Sequence, residues 1–455
     1  MKRRTKLLAG ATALAVAGSA YFLHSVMAVQ GQGVLAQQPL NVQRQIPPAF
    51  IMALDDSGSM VWETLNNTRD GVFGWLDSAN DNGSFYNGDV PRGYDGVSQR
   101  YYYAFPPYGR GNDAVPPFDA FGFVRSPDIN PGYFDPRLSY PTWKRANGTD
   151  YATAPPDAAP LDPRPNGVTG TLNLTEQVEQ TANNWRFLLR RGMRIPNGTR
   201  VRGTCATDGQ AIDTGNAYQA INGNQRVSAQ SCLLNISFYP ATFFLEDTAT
   251  LPASYGYSAK PETINNPVGG MPGRLYKYEI KRDNFASQAQ YDAAMQNFAN
   301  WFSFYRTRRE GLIGGVLNAL VDIQNMTVGW FRISNRVNVT MRDMSVESQK
   351  QALFDEIVRM PASGSTPNRR AVQHLGRQFQ RTGSGAPVQL SCQKNAGMLF
   401  TDGYINEEGN SPTVGDLDAG LGPPFQDNVP DTMADLVMPF YPTSLLPAGN
   451  SLEQN

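Results

Sequence analysis

Asp55-x-Ser57-x-Ser59 sets one carboxylate and two hydroxyls on alternating positions, directly after the apolar run Phe50-Ile51-Met52-Ala53-Leu54. Donors of this kind suit a hard divalent cation, and Mg²⁺ in particular is held by one or two carboxylates while keeping several waters. Two further stretches fit the same chemistry. Ser363-Gly364-Ser365-Thr366-Pro367 offers a threonine hydroxyl on a loop, and Gly397-Met398-Leu399-Phe400-Thr401-Asp402-Gly403 ends a second apolar run in an aspartate. Asp56 adds a carboxylate whose expected role is hydrogen bonding within the loop or outside the direct ligand set. The run before Asp55 has no polar alternation, as in a strand buried on both faces of a parallel sheet. In open α/β sheets ligands gather just beyond the carboxyl ends of such strands.

The three pieces together resemble the metal-ion-dependent adhesion site of a von Willebrand factor A domain. That resemblance implies that Ser57, Ser59 and Thr366 offer hydroxyl oxygens to the cation, while Asp55 and Asp402 bind it directly or through water. The cation it implies is Mg²⁺, with Mn²⁺ or Ca²⁺ as alternatives, and a sixth position is left for an acidic group on a partner. The threonine loop departs from the pattern at Ser365, where a second glycine is common. The implied fold class is α/β: a doubly wound, mostly parallel sheet flanked by helices, with a large loop-rich, partly β insertion after the first strand.

Elements that would position these residues can be read along the chain. Residues 49–455 are expected to form the A-like domain, interrupted by an insertion over 61–282 rich in Gly, Pro, Asn, Asp and Tyr. That stretch is too long for a loop and too aromatic for plain disorder. It contains candidate strands over 233–239 and 274–281, and it should leave and rejoin the domain near the metal loops. Asp77-x-x-x-Asp81-x-Gly83 lacks the terminal glutamate of a calcium loop and reads as a solvated turn. After the insertion, Phe298, Trp301, Phe302 and Tyr305 share one helical face, as do Leu312, Ile313, Val316, Leu317, Leu320 and Val321. Both faces are expected to pack onto the sheet. A strand over 327–333 follows, then another candidate over 337–341. Ser345 is a candidate cap for a helix, and Thr366-Pro367 starts the next with Pro in its first turn. Residues 432–438 suit a short helix or strand.

Lys2, Arg3, Arg4 and Lys6, the apolar stretch from Leu7 and the small-residue site Val26-Met27-Ala28 read as an export signal over 1–28, followed by a polar linker over 29–48. Its removal leaves 35 basic against 40 acidic residues, so an electrostatic nucleic-acid binder is not indicated. No later apolar run reaches the ~18–20 residues of a spanning helix. Of the three cysteines, Cys205 and Cys232 lie in one loop-rich region and are the favoured disulfide in an exported chain. Pairing of Cys392, here or with a cysteine elsewhere, stays open.

Catalysis finds little support. His374 is the single histidine after residue 28, no Gly-x-Ser-x-Gly elbow or phosphate-cradling loop is present, and zinc-ligand spacing is missing. A non-enzymatic binding protein is the expectation; metal-assisted hydrolysis would have to run through the two site aspartates.

Three further stretches resemble the PilC/PilY family of type IV pilus tip-associated adhesins. They are Asn297-Phe298-Ala299-Asn300-Trp301-Phe302-Ser303-Phe304-Tyr305-Arg306-Thr307-Arg308, then Leu399 to Asn406, then Asp431-Thr432-Met433-Ala434-Asp435-Leu436-Val437-Met438. The resemblance implies an exported protein at the periplasm, outer membrane or cell surface. It implies partners among pilus components such as minor pilins, or on host or abiotic surfaces offering a carboxylate. It also implies roles in pilus assembly, twitching motility, adhesion and surface sensing. Members typically carry a carboxy-terminal β-propeller with an aspartate-rich calcium loop. No Asp-x-Asp-x-Asp run occurs here, leaving a fragment or a natural short form as alternatives. The competing reading is a secreted A-domain scaffold unrelated to pili.

Overall fold

Residues 46–67, 70–77, 84–86, 97–106, 112–179, 185–265, 273–390, 393–403, 405, 411–418 and 427–440 are described by a computed structural model. The expected signal peptide, nearly all of the linker, residues 78–83 of the Asp77 turn, and Cys392 lie outside the described residues. Among the described residues no helix is long and apolar enough to cross a membrane. The fold described here belongs to the unit that begins at Pro48.

Four strands form the sheet that carries the candidate site: β1 (Ala49–Leu54), β2 (Thr327–Arg332), β3 (Arg342–Asp343) and β4 (Asn395–Phe400), in the order β3-β2-β1-β4. β1 runs parallel to both β2 and β4, with Leu54 opposite Arg332 and Phe400, so three strands end level. β3 is an antiparallel edge. It takes the place of the strand expected over 337–341.

Alternate residues of β1 serve two layers. Ile51 and Ala53 join Phe331 under Ala371 and Leu375 of α4 (Asn368–Phe379). Met52 and Leu54 belong to the larger core, which holds Ile313, Val316 and Leu317 of α2 (Arg308–Leu320) and Leu353, Phe354 and Ile357 of α3 (Glu347–Val358). Burial on both faces is why β1 carries no polar alternation. β4 behaves differently. It sits at the other edge, and of the expected buried run Gly397 and Met398 are exposed while Leu399 and Phe400 are half-buried. Gly397 lets Leu375 of α4 approach closely: a Cβ there would lie 2.1 Å from its Cδ2.

Helix starts differ in detail from expectation. The cap of α3 is Val346, while Ser345 folds back onto the Asp343 carboxylate. Pro367 is the cap of α4, one position before its first turn.

The insertion consists of small antiparallel sheets, including Arg186–Arg190, Arg200–Arg202, Gln219–Ala220 and Ser231–Ile236, and Thr242–Glu246 with Glu262–Asn265 and Arg274–Glu279. Cys205 and Cys232 are disulfide-bonded within it, with Cα atoms 5.5 Å apart. Asp77, the first residue of the supposed solvated turn, is buried.

The chain rejoins the domain later than residue 282. The Arg308 N–H donates to the Trp62 carbonyl at 3.1 Å, closing the interruption at the start of α2. α1 (Gln288–Phe304), capped by Ser287, therefore goes with the insertion. Its aromatic face packs there and not on the sheet: Phe298 against Phe134 at 5.0 Å, Trp301 against Tyr133 at 4.7 Å and Phe302 against Phe105 at 5.3 Å. A 17-residue helix is about 25 Å long, so the far end of α1 is one helix length from the site that its carboxyl end reaches.

That carboxyl end is fastened by charge. Arg306 donates to the buried Glu63 at 2.8 Å, to the Phe302 carbonyl and to the Leu161 carbonyl. The other Glu63 oxygen accepts the N–H groups of Ala104 and Phe105. Burial raises the Glu63 carboxyl above its usual range despite Arg306 and these donors.

Candidate metal-binding site

The three loops named from the sequence meet beyond the carboxyl ends of β1 and β4. Asp55 follows Leu54 directly, and its N–H donates to the Phe400 carbonyl at 2.9 Å. The chain turns because the Asp55 Oδ1 accepts the Ser57 N–H at 2.8 Å, a local turn available to aspartate. This turn aims two hydroxyls the same way, and Ser57 and Ser59 share a hydrogen bond at 2.9 Å. Asp55, Ser57 and Thr366 are all buried.

The threonine loop is seated on the first loop through its backbone. Gly58 N–H donates to Gly364 O at 3.0 Å, and Ser363 and Gly364 N–H both donate to Asp56 O, at 2.9 and 2.8 Å. Gly364 is required by this approach, since a Cβ would stand 2.4 Å from that of Ser334. The Asp56 side chain faces away from the hydroxyls, accepting the N–H and hydroxyl of Ser334. It therefore braces the loops.

Asp402 stands beside Asp55, with its carboxylate paired to an arginine. Its backbone lies against Asp55, with the N–H 3.4 Å from Oδ2, but its carboxylate meets Arg308 Nη1 at 2.6 Å. Arg308 is itself held by the carbonyls of Thr64 and Asp70 and lies over the Trp62 ring. Three participants escaped the sequence reading. The Thr401 hydroxyl donates to Asp55 Oδ2 at 2.7 Å, Asn368 Nδ2 donates to the Thr401 hydroxyl at 3.2 Å and to Gly403 O at 3.0 Å, and Arg308 holds Asp402. Arg308 and Thr401 stand inside stretches already singled out. No spacing links positions 94 and 346 residues apart, as these contacts do.

Burial raises the Asp55 carboxyl above its ordinary value, and the nearby Asp402 carboxylate adds to the effect, against the hydrogen bonds from Ser57 and Thr401. A cation beside Asp55 would relieve that penalty, and an all-oxygen set of one carboxylate and hydroxyls fits a hard divalent ion. Asp55, Ser57 and Ser59 form one continuous oxygen surface, with Thr366 on the adjoining loop. A cavity of about 600 Å³ is lined by Thr401 and Asp402 together with Met60, Tyr133, Trp301 and Arg308, and by none of these four donors.

His374 lies on α4, its Nε2 2.9 Å from the Val337 carbonyl and its ring edge-on to Phe331. Burial, followed by neighbouring arginines, lowers its pKa.

Curated relatives from Pseudomonas aeruginosa carry the name type IV pilus biogenesis factor PilY1. The protein of strain PAO1 is 22% identical over 477 aligned residues, covering 96% of this chain and 31% of the relative. That of strain PAK is 26% identical over 188 residues, covering 34% of this chain and 16% of the relative. The chain thus spans about a third or less of the length of the curated relatives it matches. These similarities support the resemblance to the PilC/PilY family. No known family profile and no solved structure matches the chain.

Proposed function

We propose that this chain is an exported, type IV pilus-associated binding protein that captures partners through a divalent cation held at the tips of β1 and β4. The observation that carries the reading is the meeting of Asp55, Ser57 and Ser59 with the threonine loop across the Gly58–Gly364 hydrogen bond. Asp55, Ser57, Ser59 and Thr366 hold the ion, Mg²⁺ by the donor set. Asp402, turned to Arg308, contributes charge at longer range. A cation with hydroxyl-rich ligands keeps much of its positive charge, so its chemistry here is to take up an acidic oxygen from a partner. The architecture is an A-type α/β domain, and the work is binding rather than catalysis. The PilY1 relatives support the pilus context, with pilus components or carboxylate-bearing surfaces as partners.

The test separates site from scaffold. Ser57→Ala with Ser59→Ala is expected to impair twitching or attachment while export and abundance stay normal. Trp301→Ala is expected to lower abundance instead, because truncating a buried aromatic costs ~3–5 kcal/mol. A serine double variant made at normal levels and indistinguishable from the parent in every pilus assay would show that this site is not what the protein works with.

A further inference from the structure

The segment after β4 contains carboxylates that the adhesion site does not use. Asp431 accepts the Val414 and Gly415 N–H groups at 2.6 and 2.8 Å. Asp435 accepts those of Leu417 and Asp418 at 2.6 and 3.3 Å, while its other oxygen takes the Thr432 N–H and hydroxyl. These bonds staple the 414–418 loop onto α5 (Met433–Val437) and fix the Asp-x-Asp pair Asp416 and Asp418. One carboxylate oxygen from each of Asp416, Asp418 and Asp435 then lies within 4.8 Å of the others.

Asp418 and Asp435 are fully buried. Asp418 Oδ2 and Asp416 Oδ1 are buried atoms with no hydrogen-bond partner, and Asp418 Oδ1 takes only a 3.4 Å contact from the Asp427 N–H. Among the described residues no lysine, arginine or histidine forms an ion pair with any of the three. A buried, unpartnered carboxylate facing two others is strongly disfavoured unless a positive charge or proton sits between them.

We propose that Asp416, Asp418 and Asp435 hold a second, structural divalent cation, calcium, independent of the adhesion site. Several carboxylates, one of them oriented by four donors, match calcium, which accepts six to eight oxygens in flexible geometry; Mg²⁺ demands near-octahedral order and keeps its waters. The ion ties residues 411–418 to residues 427–440 where these pack on α4. Arg369 donates to the Pro412 carbonyl at 2.7 Å, and the Phe440 ring fills the space over Gly376, where a Cβ would lie 2.1 Å away. α4 begins two residues after Thr366, so this ion supports the threonine loop from behind.

The experiment uses the full chain carrying Asp55→Ala, which silences the adhesion site, titrated with CaCl₂ after chelator treatment. Calcium is expected to bind one ion per chain and to raise the thermal midpoint. Asp418→Asn and Asp416→Asn are each expected to weaken binding at least about tenfold. In EDTA, Asp418→Asn should unfold at a higher temperature than its parent, because one buried like charge is gone. Should Asp418→Asn fail to fold, the half-exposed Asp416→Asn decides. The proposal is overturned by the absence of binding heat and midpoint shift in the Asp55→Ala chain, or by unchanged binding in the asparagine variants. It is equally overturned by a calcium-independent stability that falls as pH rises, the mark of a shared proton.

Discussion

Where α1 and α2 meet the insertion, every buried carboxylate has an arginine. Glu63 faces Arg306 at 2.8 Å, Asp162 faces Arg164 and Arg309 at 2.7 and 3.2 Å, and Glu310 faces Arg309 at 2.9 Å. At the carboxyl ends of β1 and β4 the buried Asp55 has only hydrogen-bond donors, and its neighbour Asp402 takes the local arginine. Ionisation follows burial as well as pairing, and the Glu63 carboxyl stays raised despite Arg306. Burial alone would push Asp162 up, yet its arginines hold the carboxyl below the usual range, whereas Asp55 is raised. The first region is charge-complete and fastens the insertion to the domain. The second is short of positive charge where the loops after β1 and β4 meet the threonine loop, an arrangement that suits a cation.

The contrast can be broken from the charge-complete side with the largest effect. Arg306→Ala leaves Glu63 buried without its cation, and breaking such a pair costs ~3–5 kcal/mol. Urea unfolding is expected to show that loss, much of the ~5–15 kcal/mol a domain has. A change under 1 kcal/mol would mean that the pair does not clamp the insertion.

Gly364→Ala probes the other region through shape. The added methyl meets Ser334 and should cost ~1–3 kcal/mol by overpacking. It should also displace the threonine loop, so the stabilisation by Mg²⁺ expected from linkage is reduced. Normal Mg²⁺ response in a destabilised variant would detach that loop from the cation.

Asp55→Asn tests the missing charge, and its sign follows from the raised carboxyl. A folded-state pKa above the unfolded value near 3.8 means that the protonated form favours the fold. That contribution is complete below the unfolded value and is lost as pH rises through the folded one. In EDTA at pH 7 the Asn variant should therefore unfold at a higher temperature than the parent, with the gap closing as pH falls towards 4. Added Mg²⁺ should stabilise the parent and leave the variant unmoved. Equal midpoints at both pH values would remove the argument for an electrostatic vacancy.

The smallest effect belongs to exposed pairs, which serve as the reference. Arg274 meets Asp247 at 2.8 Å, but the arginine side chain is 58% exposed. Arg274→Ala should change stability by at most ~1 kcal/mol. A larger loss would show that charge pairing as such, rather than burial, governs the arginine-matched region.

Local chemistry was legible without the fold. Asp55, Ser57 and Ser59 lie within one five-residue turn, so their spacing alone puts them together, and the apolar run before them states that a buried strand delivers them. The helical faces through Trp301 and Ile313 were visible for the same reason, since periodicity is a local property. What covers a face is not local. The aromatic stripe of α1 could not announce that it packs on Tyr133 and Phe134 of the insertion rather than on the sheet, because apolar burial has no direction and only the path of the chain chooses the partner. Nor could the apolar Gly397-Met398-Leu399-Phe400 reveal that it forms a largely exposed edge. The same holds for charge. Asp402 is correctly spaced for a strand-end ligand, yet which cation its carboxylate meets depends on Arg308, brought from 94 residues away. Short-range geometry wrote the donors into the sequence; long-range packing decided which of those donors already have a counter-charge.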